Sequence, residues 1–215
     1  MARILITSGP TRQYLDPVRY LTNASSGRMG ACLAQAALEL GHEVVIVTGP
    51  VSVSYPSDAI VIPVVTTREM LEAVQEQFAS CQGMIGAAAP CDYEPTVVHS
   101  QKMSKTGGPI QLELKETPDI VATVAATKHV GQWVVGFALE TEDARFRSIV
   151  KMEKKHCDLM VSNGPTAIDS QENEVEILHH TGRILESIQG DKMLVARGIL
   201  KWIQQELIPR KSSND

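Results

Sequence analysis

Two hydrophobic periods alternate along the chain. Short apolar, β-branched runs read as buried strands at Ile4-Leu5-Ile6, Glu43–Thr48, Ile60–Val65, Gly83–Ala89, Trp133–Ala138 and Asp158–Asn163. Ile110–Lys115 alternates and reads as a further strand. Amphipathic runs read as helices between them. The first is Met29–Leu40, stopped by Gly41; the second is Arg68–Gln77, capped by Thr67, with Met70, Leu71, Val74 and Phe78 at helical spacing. A third starts at Thr117-Pro118-Asp119, with Pro118 near the first helical position, and runs to Thr127. Glu142–His156 is a charged helix. Pro63 marks the Ile60 run as an edge strand or a strand start. Near the end, Glu174–His179, the turn Thr181-Gly182 and Arg183–Ile188 predict a hairpin, followed by a long helix over Asp191–Ile208.

This order predicts an α/β fold: a Rossmann-like three-layer sandwich with a mostly parallel sheet, an irregular middle segment over Pro90–Gly108, and a C-terminal hairpin and helix. Residues 1–209 read as one domain and 210–215 as a polar tail. Ligands in such folds sit beyond the carboxyl ends of the strands. The segments expected to converge there are 9–26, Gly49-Pro50, Ala88–Tyr93, Glu140 and Asn163.

The stretch between the first strand and first helix, residues 9–26, is the most informative. Strand-to-helix connections usually take about 2–6 residues. This one is much longer and carries two prolines, two arginines and an apolar Val-Arg-Tyr-Leu core, so it reads as a substrate-binding loop. Ser25 and Ser26 can cap the following helix, and Gly27 lets backbone approach a ligand. The same residues can be an ordinary cap or an anion site, with Arg19 and Arg28 adding charge. No second glycine stands two positions after Gly9, which disfavours a standard dinucleotide site.

Composition narrows the classes. The formal net charge of −5 and a 4% aromatic content argue against a nucleic-acid partner. Cys32, Cys81, Cys91 and Cys157 are widely spaced, and no metal-ligand pattern emerges. No signal peptide or membrane-length apolar run is seen, so a cytoplasmic setting with free thiols and no membrane partner is expected.

Several motifs together are specific. Gly9-Pro-Thr-Arg12, Leu15-Asp-Pro-Val-Arg-Tyr20 and Asn23-Ala-Ser-Ser-Gly-Arg-Met-Gly30 open the chain. Ala87-Ala-Ala-Pro-Cys-Asp-Tyr93, Lys102, Thr117-Pro-Asp-Ile120, Gly136-Phe-Ala-Leu-Glu-Thr141, Lys151, Lys155 and Asp158–Asn163 follow in order. In order and spacing the chain resembles phosphopantothenoylcysteine synthetase, the ligase half of the bacterial bifunctional coenzyme A biosynthesis protein, from about residue 3 to about residue 208. The flavin-dependent decarboxylase half has no counterpart here, so a monofunctional ligase without flavin is expected.

The resemblance implies condensation of 4′-phosphopantothenate with L-cysteine through an acyl-cytidylate made from CTP, with Mg²⁺, in a homodimer. It implies catalytic roles for Asn23, Arg19 and the mobile-loop Lys102. It implies nucleotide contacts from Gly86, Ala87, Ala88, Asp92, Lys102, Pro118, Asp119, Ile120, Val121, Phe137, Lys151 and Lys155, with Asp92 reading the base. Ser25, Ser26 and Gly27 become candidates for the substrate's phosphate. The chain departs from the family pattern at Pro90-Cys91, Thr117 and Gly164, which puts base preference and some contacts in question and leaves ATP open. Cys91 beside Asp92 reads as a packing residue rather than a nucleophile. The competing readings are a pyridine-nucleotide oxidoreductase and a non-catalytic nucleotide-binding module.

Overall fold

The computed structural model describes residues 1–139, 143–163 and 172–209. Glu140, the Glu142 helix start, Gly164 and the tail over 210–215 lie outside the described residues. The chain runs β1 (Arg3–Ser8), β2 (Arg12–Tyr14), β3 (Tyr20–Thr22), α1 (Arg28–Glu39), β4 (Glu43–Thr48), β5 (Ile60–Pro63), α2 (Thr67–Phe78) and β6 (Gly83–Gly86). It continues through β7 (Tyr93–Pro95), β8 (Leu114–Glu116), α3 (Ile120–Ala125), β9 (Trp133–Leu139), α4 (Ala144–Lys154), β10 (Leu159–Asn163), β11 (Glu172–His179), β12 (Ile184–Asp191) and α5 (Lys192–Glu206).

Among the described residues, eight strands form one sheet in the order β12-β11-β10-β9-β6-β1-β4-β5. The strands from β10 to β5 are parallel, and β11 pairs antiparallel with both β10 and β12. The expected hairpin therefore extends the main sheet. The β-strand period of two divides the core between the sheet's faces. Ile4 and Ile6 join the cluster beneath α1 and α5, while Leu5 joins Met70, Val74 and Val124 beneath α2 and α3. Leu5, Ile6, Val45 and Ile46 are fully buried. Burying a side chain of this size contributes about 1.5–3 kcal/mol.

Several predicted boundaries move for physical reasons. The Ile60 run ends at Pro63, on the sheet's edge, where a missing N–H costs no ladder bond. Helix α2 is capped by Thr66, not Thr67: the Thr66 side chain accepts from Glu69 N, and the Glu69 carboxylate accepts from Thr66 N. Thr67 instead turns inward, fully buried, against Thr11 and Gln13. Pro118 lies outside α3, whose cap is Asp119. The Gly83–Ala89 strand stops at Gly86, and the expected Ile110–Lys115 strand shifts to Leu114–Glu116 and pairs with β7 as a separate ribbon.

The long first connection is not irregular throughout. It folds into the β2–β3 hairpin, with Arg12 stacked over the Tyr20 ring at 4.5 Å and Tyr14 edge-on to Tyr20. From β1 the chain passes through α1 to β4 on one side; after β5 and α2 it returns to β6 on the other side of β1. The connections leaving β1 and β6 then part towards opposite faces of the sheet. A crevice opens between them, at the switch point.

Candidate functional site

A cleft of about 750 Å³ occupies that crevice. Residues 23–30 after the hairpin form one wall, and residues 86–93 after β6 form another. Thr117–Val121 at the start of α3, Phe137–Leu139 of β9, Lys151 and Lys155 of α4, Asn163 of β10 and Lys192 complete it. Of the residues expected from the sequence, Asn23, Ser25, Ser26, Gly27, Gly86, Ala87, Ala88, Asp92, Pro118, Asp119, Ile120, Val121, Phe137, Lys151 and Lys155 all line this cleft. Arg19 and Lys102 do not.

The start of α1 differs from the expected serine cap. Its N-cap is Gly27 in the left-handed region (φ 76°), and no side chain caps it. The cause is a close approach one turn later, since a Cβ on Gly30 would lie 2.1 Å from Ser8 Oγ. That contact seats the helix on β1 and fixes where it begins. Behind it, Tyr55 Oη bonds Thr48 Oγ1 at 2.7 Å and donates to Ser8 Oγ at 2.9 Å, while Ser8 donates to the Gly27 carbonyl at 3.2 Å. The α3 and α5 starts also face the cleft, but there Asp119 and Asp191 each already accept one N–H, from Ala122 and Leu194. The α1 start is thus the one of the three with no side chain on its N–H groups.

Asn23 bridges the two walls. Its amide nitrogen donates to the carbonyls of Pro90 at 2.9 Å and Ala89 at 3.3 Å. With both amide protons directed there, Asn23 has an acceptor oxygen left to offer. Asp92 stands on the same wall, exposed, after a buried hydroxyl cluster. Cys91 N donates to Thr11 Oγ1 at 2.8 Å, Thr11 and Thr67 hydroxyls pair at 2.8 Å, and Thr67 donates to the Cys91 carbonyl at 3.2 Å. Thr117 adds a 2.6 Å bond from its hydroxyl to the Cys91 carbonyl and a 2.9 Å bond from its N–H to the Asp92 carbonyl. Cys91 is 5% exposed, and burial pushes its thiol up, with the Asp92 charge adding to the rise. A protonated, enclosed sulfur is a packing group, in line with the sequence reading.

Four cations, Arg28, Lys151, Lys155 and Lys192, face the cleft with three carboxylates, Asp92, Glu116 and Asp119, in a chain whose net charge is −5. Lys155 Nζ lies 3.0 Å from Asp119 Oδ2. The sequence reading missed Lys192, Glu116 and Tyr55. Only Lys192 carried a local signal: a lysine in the first helical turn opposes the helix dipole, which makes sense beside an anion. Asn163 Oδ1 is buried against the cleft with no hydrogen-bond partner. Among the described residues no three His, Cys, Asp or Glu side chains cluster to hold a metal, and no helix is long and apolar enough to cross a membrane.

Arg19 lies in the turn of the β2–β3 hairpin, and Lys102 on a segment next to it, both outside the cleft. Arg19 Nη1 pairs with Asp16 Oδ2 at 3.1 Å, and its guanidinium donates to the Met103 carbonyl at 3.1 Å. Lys102 is exposed on the segment so held.

Residues 1–207 match the model of the DNA/pantothenate metabolism flavoprotein C-terminal domain. The chain belongs to this family. It is 39% identical over 197 residues to the coenzyme A biosynthesis bifunctional protein CoaBC of Vibrio parahaemolyticus, covering 89% of this chain and 49% of that protein. The chain spans about half the length of the curated relatives it matches. The crystal structure of the C-terminal domain of a CoaBC protein superposes with a TM-score of 0.80 at 36% identity, over 95% of both chains. A second structure, a Cab2 mutant in complex with phosphopantothenate-cysteine, shares the fold with a TM-score of 0.79 at 15% identity over 94% of this chain and 85% of that one. The resemblance read from the sequence and the Rossmann-like fold are both borne out.

Proposed function

We propose that the cleft joins 4′-phosphopantothenate to L-cysteine in coenzyme A biosynthesis, with CTP as the activating nucleotide. The observation that carries this reading is the uncapped start of α1, placed opposite Asp92 and the lysines of α4 in one crevice, in a chain of this family. The substrate's phosphate takes the free N–H groups at Gly27–Gly30, with Ser25 and Ser26 beside them. Its carboxylate oxygen attacks the α-phosphorus of CTP, forming the acyl-cytidylate and releasing pyrophosphate. The amine of cysteine then attacks the acyl carbon, loses a proton and displaces CMP.

Within this reading, the Asn23 carbonyl meets the acyl-nucleotide, Gly86, Ala87 and Ala88 offer backbone, Phe137 packs near the nucleotide and Asp92 reads the base. Lys151, Lys155 and the turn at Pro118–Val121 face the triphosphate, where Asp119 already occupies one N–H of α3. Mg²⁺ arrives as the nucleotide's counterion; the residues fit that role and not a closed protein cage, since such an ion keeps phosphate and water ligands and one or two carboxylates. Bound there, it would neutralise triphosphate charge, with Glu116, the cleft carboxylate given no other role, as its protein ligand. No flavin is expected. The exposed Val97, Val98, Ile110, Leu112 and Leu114, within residues 90–115, favour a homodimer in which this stretch meets the second copy.

The test omits cysteine. With 4′-phosphopantothenate and MgCTP the chain should release about one pyrophosphate per site and retain an acyl-cytidylate detectable by mass; cysteine added later should discharge CMP and the amide. Pyrophosphate release that does not depend on 4′-phosphopantothenate would contradict the proposal.

A further inference from the structure

Met103 follows Lys102 directly, and both polar groups of its backbone are gripped by one pair of side chains. Its N–H donates to Asp16 Oδ2 at 3.1 Å, and its carbonyl accepts from Arg19 Nη1 and Nη2, each at 3.1 Å. Asp16 and Arg19 are themselves joined at 3.1 Å. The other Asp16 oxygen accepts from Val18 N at 2.8 Å and Arg19 N at 2.9 Å, which closes the turn between β2 and β3. His99 N adds a bond to the Leu15 carbonyl at 2.9 Å. We propose that Asp16 is a positioning residue: through Arg19 and Met103 it fixes the backbone from which Lys102 is presented.

Burying a carboxylate is costly unless its lone pairs are filled. Asp16 is fully buried and accepts from Val18, Arg19 and Met103. Burial alone would push its carboxyl up; the N–H groups of Val18, Met103 and Arg19, with the Arg19 charge, outweigh it and hold the group below the ordinary aspartate range. It is therefore an anion at neutral pH. An apolar side chain would pack the hairpin but could not bind Met103 N–H, 87 residues away in sequence. This arrangement also accounts for the position of Arg19, which faces Met103 and not the cleft. The assignment rests on the ligase reading and on the catalytic role that the family resemblance implies for Lys102.

The test compares native chain, Asp16→Asn, Lys102→Ala and the double variant. Asp16→Asn keeps the oxygen facing Val18 and turns an amide towards Met103 N–H and Arg19. Amide hydrogen exchange at Met103 should quicken at least tenfold while Leu5 and Val45 keep their protection. The kcat for amide formation should fall at least tenfold with KM for CTP within threefold, and in the Lys102→Ala background the same change should cost less than twofold. Unchanged Met103 exchange in folded Asp16→Asn, or losses that multiply in the double variant, would overturn the proposal. Should Asp16→Asn not fold, Arg19→Lys, which keeps charge and loses the fork, must show the same non-additivity with Lys102→Ala, and multiplying losses there overturn it too. Failure of the ligase reading is seen separately, as no amide from the native chain; the exchange at Met103 then decides the grip by itself.

Discussion

Lys155 Nζ lies 3.0 Å from Asp119 Oδ2, across the cleft from α4 to the start of α3. The same carboxylate caps α3 through Ala122 N at 3.0 Å. Both partners are part-exposed, so the ion pair itself adds little stability, about 0–1 kcal/mol. Its consequence lies in binding: a triphosphate must compete with Asp119 for Lys155. Asp119→Asn should keep the cap, unfold within about 1 kcal/mol of native and lower KM for the nucleotide several-fold. Asp119→Ala should lose about 0.5–2 kcal/mol with the cap. Urea unfolding and nucleotide titrations of the two variants check this; a raised nucleotide KM in a stable Asp119→Asn chain would contradict it.

Asn23 is committed in one direction. Its amide protons point to Ala89 and Pro90, so Asn23→Asp would set an acceptor against two carbonyls. The bonds are exposed, and the stability loss should stay near about 1 kcal/mol. The rate of acyl-nucleotide formation should fall about 100-fold or more in Asn23→Asp and Asn23→Ala alike, the scale set by removing one preorganised polar group at a reacting centre. Single-turnover pyrophosphate release measures it. A loss under threefold in either folded variant would remove Asn23 from the chemistry.

Thr117 fastens the wall that carries Asp92. Thr117→Val keeps the shape and deletes the 2.6 Å bond to the Cys91 carbonyl, so it should cost about 0.5–1.5 kcal/mol. With Asp92 less firmly held, the ratio of kcat/KM between CTP and ATP should move towards one. Thr117→Asn, which can still donate, should keep most of the discrimination. Paired kinetics with both nucleotides decide this, and an unchanged ratio in Thr117→Val would separate Thr117 from base reading.

Burial pushes the Cys157 thiol up to about 12. At pH 8 about one such thiol in ten thousand is ionised. Burial shifts Cys81, Cys91 and Cys32 upward as well, but Cys32 is only half-buried while the other three are buried. Alkylation of the native chain at pH 8 should therefore modify Cys32 first and leave the other three until unfolding. The sign for stability follows. A thiol whose folded value is raised contributes fully below its unfolded value near about 8.5 and loses that contribution as pH climbs towards the folded one. The melting temperature should fall between about pH 9 and 12, and less steeply in Cys157→Ala.

The parts of the fold that were legible in the sequence are those with a long, unmixed period. Glu43–Thr48 is a strand over the residues expected, and the alternation at Glu174–His179 lies within β11. The β2–β3 hairpin escaped because strands of three residues carry no measurable period. Helix α1 was placed correctly but its cap was not. Ser25 and Ser26 are favoured cap types, yet the contact of Gly30 with Ser8 sets the start at Gly27, and no local rule sees a contact 22 residues apart. Asp16 carries no local signal of its contacts, since its partner Met103 is remote in sequence. Most of the cleft was legible because motif order carried it; Arg19 and Lys102 were named, but their place outside the cleft depended on the tertiary contact with Met103.

The central claim is tested most directly by a paired turnover assay with 4′-phosphopantothenate, cysteine and Mg²⁺ held constant and either CTP or ATP supplied, the products identified by mass. The account predicts phosphopantothenoylcysteine with CMP, and far less product with ATP. Absence of the amide with both nucleotides, from folded chain, would contradict it.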